Sequence, residues 1–514
     1  MATSASVSIP GVAAEQRTGW RAALLPSLTD LFFLAAIAWM FMAPDIGWQA
    51  LLRDGDTGYH IRTGDLILNT HHVPAADPFS FSKPGQPWFA HEWLAEVVFA
   101  ALVRWAGLKA LVLFVGALLA LYNTILLRDS VRRGANSVLA IALVLAGSNA
   151  ASIHFHARPH VFTLLLLTIS AALIARDRER PTRWIWALVP LTAVWANLHG
   201  GFVILLALLG LVVAGSVVEM LLGQPGARAM AVRYAGLLAG CAAASALNPR
   251  GIRLHLHIVE LLQVAWYKTH ISEYQSPAFH FEQMTFFMAV LFLGLACVWP
   301  LLAKRRVTEP LWILFFAYES LVSARNIPLF LVIALPVVAM ELTTVWRRWA
   351  AASSPKSTIA VLDDLAAQTS GRIRPVGVWT PLFVAGILLF TPTNRWPTDF
   401  SPETFPLAML HKHADELAGS RVFTADQWAD YLIYANFPKQ RVFIDGRSDF
   451  YGEEIGKAYL AMWQAEPDWR VRLNRYRFNR VLCPPDVPLA AVLRESPEWR
   501  IVDQDREAVL FAKN

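Results

Sequence analysis

The sequence predicts an all-α polytopic membrane bundle of about 11 to 13 transmembrane helices, followed by a C-terminal extracytoplasmic α/β domain. The bundle is predicted by composition, because 55% of the 514 residues are hydrophobic and only 16% are charged, which excludes an ordinary soluble globular protein. Short apolar segments that alternate with amphipathic stretches after residue 396 predict the α/β domain. Its predicted strands are Val422–Thr424, Val442–Ile444, Arg480–Cys483, Trp499–Val502 and Val509–Ala512.

Apolar runs that reach or approach membrane length recur along the chain. They lie near 28–44, 109–127, 138–152, 160–175, 184–198, 201–221, 231–247, 284–303, 310–323, 327–345 and 377–391. Several are broken by proline, which a helix bundle tolerates because neighbouring helices satisfy the freed backbone groups. The first run is expected to stay as a signal anchor, since residues 1–20 lack the basic start, apolar core and cleavage site of a signal peptide.

Basic residues between the runs predict the orientation, because cytoplasmic loops carry an excess of Lys and Arg. The basic groups are Arg128, Arg132 and Arg133, then Arg176, Arg178, Arg180 and Arg183, then Lys304, Arg305 and Arg306, and finally Arg347 and Arg348. This distribution accounts for the net charge of +6 without a nucleic-acid partner.

Counting spans between the basic groups gives the domain organisation. The predicted parts are a cytoplasmic N-terminus at 1–27, a transmembrane domain at 28–345 that includes a first outer loop at 45–108, a cytoplasmic linker at 346–376, a last transmembrane helix at 377–391 and an extracytoplasmic domain at 396–514. Residues 88–106 do not fit easily, because they carry charges and would invert every later basic loop if they crossed the membrane. We expect a half-buried helix at the membrane surface there. A true span with a compensating extra crossing is the alternative.

Two carboxylates and a histidine follow the first apolar run directly, within residues 53–62. Charged side chains are costly at membrane depth, so such a cluster usually has a task. Asp54 and Asp56 are candidates for a general base or for oxygen ligands of a divalent cation, and His60 and Glu92 could complete that set. The alternative is that these acidic groups are simply solvated.

Cationic and hydrogen-bonding side chains recur at the other predicted outer membrane edges, against the usual charge bias. They are His154, His156, Arg158, His160, Asn197, His199, Asn248, Arg250, Arg253, Arg325 and Asn326. A lipid phosphate or pyrophosphate would compensate them, because guanidinium groups bind phosphate oxygens bidentately. Contacts with ordinary headgroups are the alternative. A zinc site at the three histidines of 154–160 is disfavoured, since Pro159 interrupts a regular helical turn.

The turn Asp445-Gly446-Arg447-Ser448-Asp449 follows a predicted strand and is a secondary candidate site. A purely structural, salt-bridged turn is the alternative. The three cysteines, Cys241, Cys297 and Cys483, offer neither a disulfide framework nor zinc spacing, so cysteine chemistry is not expected.

A first outer loop that bears Asp54 and Asp56 just after the first span resembles that of the GT-C superfamily of membrane glycosyltransferases, which includes protein O-mannosyltransferases and lipid A aminoarabinose transferases. Further motifs resemble, over nearly the whole chain, those of a broad set of bacterial membrane proteins described as GT-C-like. These motifs are Asp-x-Asp-Thr-Gly-Tyr-His-Ile-Arg-Thr-Gly, Pro-Phe-Ser-Phe, His-Glu-Trp-Leu, Ala-Arg-Pro-His, Trp-Ala-Asn-Leu-His-Gly-Gly, Asn-Pro-Arg-Gly and Ile-Asp-Gly-Arg-Ser-Asp.

The resemblance implies inverting transfer of a sugar from a polyprenyl-phosphate carrier on the outer face of the bacterial inner membrane, with the C-terminal domain in the periplasm. It implies that Asp56, or else Asp54, is the base. The superfamily varies in metal use, so a Mg or Mn ion held by this pair is an open expectation. O-mannosyltransferases have adjacent Asp-Glu in this loop, and this departure leaves open which aspartate is the base. The candidate ligands of the donor phosphate are Arg158, His160, His199, Arg250 and Arg325.

The sequence thus predicts a membrane glycosyltransferase with a polyprenyl-phosphate-linked sugar donor and a lipid, glycan or protein acceptor. A non-catalytic GT-C-like scaffold or translocation component that binds a partner through its outer domain is the alternative. A transporter is disfavoured, because the predicted spans lack carboxylates at mid-depth and the sequence shows no internal repeat.

Overall fold

The computed structural model describes residues 25–42, 47–375 and 377–514. Residues 1–24 of the predicted cytoplasmic N-terminus (1–27) therefore lie outside the described residues. Helices dominate the described chain, and four strands near its C-terminal end form one sheet.

The helices before the C-terminal domain run from the first apolar segment to the last. They are α1 (Leu28–Met42), α2 (Trp48–Leu51), α3 (Asp56–Thr70), α4 (Trp93–Ala106), α5 (Leu108–Arg132), α6 (Ser137–Ala151), α7 (His160–Glu179), α8 (Leu188–Leu198), α9 (Phe202–Leu221), α10 (Ala227–Ser245), α11 (Arg253–Gln263), α12 (Ala265–His270), α13 (Glu282–Ala303), α14 (Thr308–Val322), α15 (Ile327–Ala352), α16 (Thr358–Ser370) and α17 (Trp379–Phe390).

The C-terminal domain combines short helices with the sheet. Its elements are α18 (Leu407–Lys412), α19 (Ala414–Leu417), β1 (Val422–Thr424), α20 (Asp426–Asn436), α21 (Ser448–Trp463), α22 (Trp469–Arg475), β2 (Arg480–Cys483), α23 (Pro488–Arg494), β3 (Trp499–Gln504) and β4 (Val509–Lys513).

Six of the described helices are long and apolar enough to cross a membrane. They are Leu108–Arg132, Ser137–His154, His160–Glu179, Phe202–Leu221, Glu282–Ala303 and Ala324–Ala352. Shorter apolar helices cover Leu28–Trp39 and Trp379–Phe390. The predicted multi-helix membrane bundle is confirmed, whereas the number of about 11 to 13 spans stays a prediction.

Other predicted runs form shorter or less apolar helices, and the predicted linker is partly helical. The runs near 184–198, 231–247 and 310–323 correspond to α8, α10 and α14. In the segment 346–376, α15 continues to Ala352 and α16 packs back on the bundle. There Asn136 Nδ2 donates a hydrogen bond to Asp363 Oδ1 at 3.0 Å.

The first outer loop contains the short helix α2 and two longer helices, α3 and α4, that pack closely side by side. A Cβ at Gly64 of α3 would lie 1.9 Å from the Glu96 carbonyl oxygen of α4, so only glycine allows this approach. On its other side α3 contacts α20, where Arg62 Nε donates to the Tyr434 carbonyl at 2.6 Å. The start of α3 therefore lies between the membrane bundle and the C-terminal domain.

The segment 88–106 contains α4, which begins at Trp93 and has 14 residues. At 1.5 Å per residue it is about 21 Å long, shorter than a hydrocarbon core of about 30 Å. Glu96 near its start is only 2% exposed and Trp105 at its end is 69% exposed. The helix at the membrane surface, with a full span as the alternative, stays a prediction.

The sheet of the C-terminal domain has the strand order β1-β2-β4-β3. β1 and β2 are parallel, with Phe423 opposite Val481, and the β2–β4 and β4–β3 pairs are antiparallel. A parallel pair needs a long crossover connection, which the residues from α20 to α22 supply. Four of the five predicted strands are thereby present at their predicted positions.

The predicted strand Val442–Ile444 is wrong. This segment does not join the sheet but forms an isolated bridge with the first outer loop, where Ser80 pairs with Val442. The Phe81 N–H donates to the Val442 carbonyl at 2.9 Å, and the Val442 N–H donates to the Phe79 carbonyl at 3.0 Å. The partner of this segment is a loop distant in sequence, and such a contact leaves no local sequence pattern.

Candidate active site

Asp54 and Asp56 lie at the N-terminal end of α3, the side where the helix dipole favours negative charge. Asp54 Oδ1 accepts a hydrogen bond from the Asp56 N–H at 3.0 Å, which fixes the turn before the helix. Asp56 is only 4% exposed. A carboxylate that is held in place and shielded from water is suited to chemistry rather than to simple solvation.

Arg158 bridges the two aspartates. Its Nη1 lies 3.0 Å from Asp54 Oδ2 and its Nη2 lies 2.9 Å from Asp56 Oδ2. The loop that carries Arg158 precedes α7 and is tied to the end of α2, because the Ala157 N–H donates to the Leu51 carbonyl at 2.8 Å. Residues about 100 positions apart in sequence are thus joined in one charged group.

Glu273 extends this group to a second arginine. Its carboxylate oxygens lie 3.6 Å from Arg158 Nη1 and 3.5 Å from Arg325 Nη1. Burial acts to raise the pKa of Glu273, but the Arg325 and Arg158 guanidiniums outweigh burial and lower this pKa to about 2. We call Asp54, Asp56, Arg158, Glu273 and Arg325 the carboxylate–arginine cluster.

The second carboxylate oxygen of Asp56 faces the C-terminal domain. Asp56 Oδ1 is buried and has no hydrogen-bond partner among the described residues. A Cβ at residue 446 would lie 1.8 Å from this oxygen, so Gly446 is required for the contact. Asp430 lies beside them and accepts a hydrogen bond from the Gly446 N–H at 3.0 Å.

The environment of these two buried aspartates raises their pKa values. For Asp56, burial raises the pKa and the Arg158 guanidinium acts against it. For Asp430, burial raises the pKa and the nearby Asp56 carboxylate adds to the effect. A carboxylate with a raised pKa and an unpartnered oxygen has the properties of a general base.

A second group, the histidine–glutamate cluster of His60, Glu92, Glu96 and His199, lies along α3 and α4. Glu92 lies 3.7 Å from His60 Nε2 and 3.4 Å from His199 Nε2, and Glu96 Oε1 lies 3.3 Å from His60 Nδ1. Burial raises the pKa of Glu92 and Glu96 and lowers the pKa of His60. His60 and Glu92 thus lie in a cluster of their own, and their predicted part in the set of Asp54 and Asp56 stays a prediction.

Arg447 of the candidate turn is buried and holds the C-terminal domain against the first outer loop. Its Nη2 lies 2.6 Å from Asp445 Oδ2 and 2.8 Å from Asp77 Oδ1. The guanidinium also lies over aromatic rings, with the Trp88 ring centroid at 4.5 Å. This geometry supports a structural role for Arg447, while the preceding Gly446 lines the site.

The side chains of two predicted phosphate ligands contact backbone carbonyls rather than the carboxylates of the carboxylate–arginine cluster. His160 Nε2 lies 2.6 Å from the His154 carbonyl, a local backbone contact. Arg250 Nη2 donates to the Trp88 carbonyl at 3.2 Å and lies over the Phe89 ring. Arg158 and Arg325 therefore remain as the arginines that meet at the cluster, with His199 in the neighbouring histidine–glutamate cluster.

The sequence did not single out Glu273 or Asp430, although both belong to the site. Glu273 lies between α12 and α13, and Asp430 lies in an ordinary amphipathic helix, α20. One feature of the sequence could have pointed to Glu273: it is a carboxylate between predicted spans, on the same predicted side as several arginines without an evident partner. Asp430 had none, since its contact with Gly446 depends on how the C-terminal domain docks.

Comparison with solved structures shows that the chain, with its helical bundle, first outer loop and α/β domain, has a GT-C-like fold. The oligosaccharyltransferase of Archaeoglobus fulgidus in the apo form has a TM-score of 0.52 at 11% identity, covering 88% of this chain and 69% of that chain. The oligosaccharyltransferase AglB from Archaeoglobus fulgidus, in complex with an inhibitory peptide and a dolichol-phosphate, has a TM-score of 0.51 at 12% identity with the same coverage.

ArnT from Cupriavidus metallidurans, bound to undecaprenyl phosphate, has a TM-score of 0.49 at 14% identity, covering 94% of this chain and 97% of that chain. The sequence matches no family model and no curated protein. At these identities the likeness shows the fold alone. The fold implied by the sequence motifs is confirmed.

Proposed function

We propose that the protein is a glycosyltransferase that moves a sugar from a polyprenyl-phosphate donor to a lipid, glycan or protein acceptor. The observation that carries the proposal is the bridge of Arg158 between Asp54 and Asp56, beside an unpartnered oxygen of Asp56. A base and a phosphate-binding cation are the two groups that such a transfer needs most. Support for the donor class comes from the AglB structure of the same fold, which holds a dolichol-phosphate.

Arg158 and Arg325 are suited to hold the phosphate of the donor. Both guanidiniums are within reach of Glu273, so they point towards a common carboxylate. A phosphate presents the same kind of oxygen atoms and accepts bidentate hydrogen bonds from arginine. In the proposed complex the phosphate takes over part of the contacts that Glu273 and Asp54 make.

Asp56 is placed to deprotonate the acceptor. In the proposed step the acceptor oxygen or nitrogen attacks the anomeric carbon, and the bond from that carbon to the phosphate oxygen breaks. The electron pair leaves on the lipid phosphate, and the acceptor proton passes to Asp56 Oδ1. Because the lipid phosphate is a good leaving group, base catalysis matters more than protonation of the departing oxygen. A single displacement of this kind inverts the configuration at the sugar.

The carboxylate oxygens of Asp56 and Asp430 also suit a divalent cation of the Mg or Mn type. Asp56 Oδ1 is a buried oxygen without a partner, and the Asp430 carboxylate lies beside it against Gly446. Hard cations prefer such oxygen ligands. As an alternative to the base role of Asp56 Oδ1, a bound ion would be held by Asp56 and Asp430 and would supply positive charge next to the donor phosphate, while Arg158 pairs with the opposite oxygen of Asp56.

We place the protein in the bacterial inner membrane, with the carboxylate–arginine cluster and the C-terminal domain on the periplasmic side. The basic groups between the spans support this orientation. The acceptor would then reach the site from the periplasm or from the outer leaflet.

The test compares a deletion strain with strains that carry variants. We expect deletion to cause accumulation of a polyprenyl-phosphate-linked sugar and loss of a surface glycan, both measured by mass spectrometry. The wild-type chain and the control Asp415→Asn, at an exposed residue of the C-terminal domain, should restore both. Asp56→Asn and Arg158→Gln should restore neither at equal membrane abundance. Full restoration by both variants would instead favour a non-catalytic scaffold.

A further inference from the structure

Outside the carboxylate–arginine cluster, three side chains from three distant parts of the chain converge on one point. His91 lies in the first outer loop, His257 lies in α11, and Asp449 lies at the start of α21 in the C-terminal domain. Each offers one ligand atom, and these three atoms all lie within 4.8 Å of one another. The residues are half-buried, so the point is shielded and yet reachable from solvent.

The spacing of these atoms suits a tetrahedral metal ion. His257 Nε2 lies 3.3 Å from Asp449 Oδ2. Two ligands about 2.0 to 2.1 Å from a tetrahedral zinc ion are separated by about 3.3 Å. Two of the three ligands therefore have the required separation, and the ligand atom of His91 lies within 4.8 Å of both.

Neighbouring groups hold both imidazoles in orientations that suit metal binding. His91 Nδ1 lies 3.2 Å from the Phe89 carbonyl, to which it can donate, and this leaves the lone pair of Nε2 free for a metal. Metal-binding histidines commonly donate their second ring nitrogen to a carbonyl in this way. The ring of His257 is stacked on the Phe89 ring, with centroids 4.9 Å apart and planes at 14°. One residue thus orients both histidines.

We propose that His91, His257 and Asp449 bind one zinc ion. Two imidazole nitrogens and one carboxylate form a typical three-residue zinc set that leaves the fourth position for water or another oxygen ligand. Nitrogen ligands favour zinc over magnesium or manganese, so this site is distinct in chemistry from the Asp56–Asp430 pair. The ion joins the first outer loop, the segment between α10 and α13, and the C-terminal domain. It therefore fixes the position of that domain over the membrane bundle.

The proposal does not depend on glycosyl transfer, and its test measures metal rather than activity. The full chain, purified in detergent with a tag that contains no histidine, is stripped with chelator and titrated with Zn²⁺ and with Co²⁺. Bound metal is counted by mass spectrometry, and the visible spectrum of Co²⁺ reports tetrahedral coordination. We expect one ion per chain. His91→Ala, His257→Ala and Asp449→Asn should each weaken its affinity by about 100-fold or more.

Matched variants separate this site from the other candidates. His280→Ala, at an exposed histidine between α11 and α13, should keep the ion and the Co²⁺ spectrum. Asp54→Asn should keep them as well, because Asp54 belongs to the carboxylate–arginine cluster, which is a separate site. Elution of each variant as a single species shows that loss of metal is not loss of folding. The proposal is overturned if the wild-type chain binds no Co²⁺ or Zn²⁺ beyond a buffer control, if a variant that combines His91→Ala, His257→Ala and Asp449→Asn binds the metal equally, or if Asp54→Asn abolishes binding.

Discussion

Arg158 Nη2 lies 2.9 Å from Asp56 Oδ2, so the proposed base and the proposed phosphate ligand are paired directly with each other. Each therefore sets the electrostatic environment of the other. Arg158 opposes the effect of burial on the pKa of Asp56, and Asp54 and Asp56 offset the cost of burying the guanidinium. A substitution of either residue is expected to affect both the chemistry and the folding of the site.

Arg158→Gln should reduce transfer by at least about 100-fold, because it removes a donor-phosphate ligand at a charged site. It should also destabilise the chain by about 3 kcal/mol, since Asp54, Asp56 and Glu273 would be left without their shared partner. Activity and thermal unfolding in detergent measure the two effects. Arg500→Gln, at an exposed position of β3, is the control and should change neither. Normal activity of Arg158→Gln would contradict the assignment.

Gly446→Ala should abolish transfer by displacing the carboxylate of Asp56. The added Cβ would lie 1.8 Å from Asp56 Oδ1, which is closer than any real contact, so the carboxylate or the turn must move. Gly210→Ala in α9 is the matched control, because a Cβ there meets nothing within 4 Å. We expect at least about a 100-fold difference in rate between the two variants, since a misplacement of about 1 Å can cost that much. Equal rates would show that Asp56 is not held against residue 446.

Glu273→Gln should make stability less dependent on pH at the acidic end. The pKa of Glu273 is lowered to about 2 from its ordinary value of 4.5. The contribution of this carboxylate to the free energy of unfolding is therefore fully present above pH 4.5 and is lost as the pH falls towards 2. At pH 7 the variant should be less stable by about 3 kcal/mol, which is the decrease in pKa from 4.5 to about 2 converted at about 1.4 kcal/mol per unit. Thermal unfolding at pH 7 and at pH 3 measures this. A difference between variant and wild type that stays constant over this range would refute the assignment.

Arg447→Leu should destabilise the chain by about 3 to 5 kcal/mol, because it leaves the Asp77 and Asp445 carboxylates buried without their cation. The expected readouts are a lower unfolding temperature and faster cleavage by protease between the bundle and the C-terminal domain. Arg506→Leu, at an exposed residue between β3 and β4, should show neither change. An unaltered unfolding temperature for Arg447→Leu would mean that the buried guanidinium does not hold the domain.

Much of the fold can be predicted from the sequence, because hydrophobic runs and alternating patterns depend only on neighbouring residues. Apolar runs predict the helices of the bundle, and alternating patterns predict four of the strands. The candidate residues Asp54, Asp56, Arg158 and Arg325 were found because charged groups at predicted membrane edges are conspicuous, and the structure brings them into one cluster.

The remaining parts of the site depend on contacts between distant segments. Val442–Ile444 pairs with the first outer loop instead of the sheet, and Asp430 reaches Gly446 because the C-terminal domain docks on α3. His257 is brought next to Asp449 across 192 positions of sequence. Neither hydrophobic periodicity nor motif spacing reports such docking, which is why Asp430 and His257 could not be assigned to a site from the sequence.

The contact of Gly446 with Asp56 has a consequence for how relatives of this protein could diverge. A residue of the C-terminal domain forms part of the wall around the proposed base, and Arg447 beside it is enclosed by residues of the first outer loop. Exchange of the C-terminal domain alone between two such proteins would mismatch this boundary. New acceptor preferences would therefore arise more readily when the loop and the domain are inherited together than when the domain is recombined as an independent module.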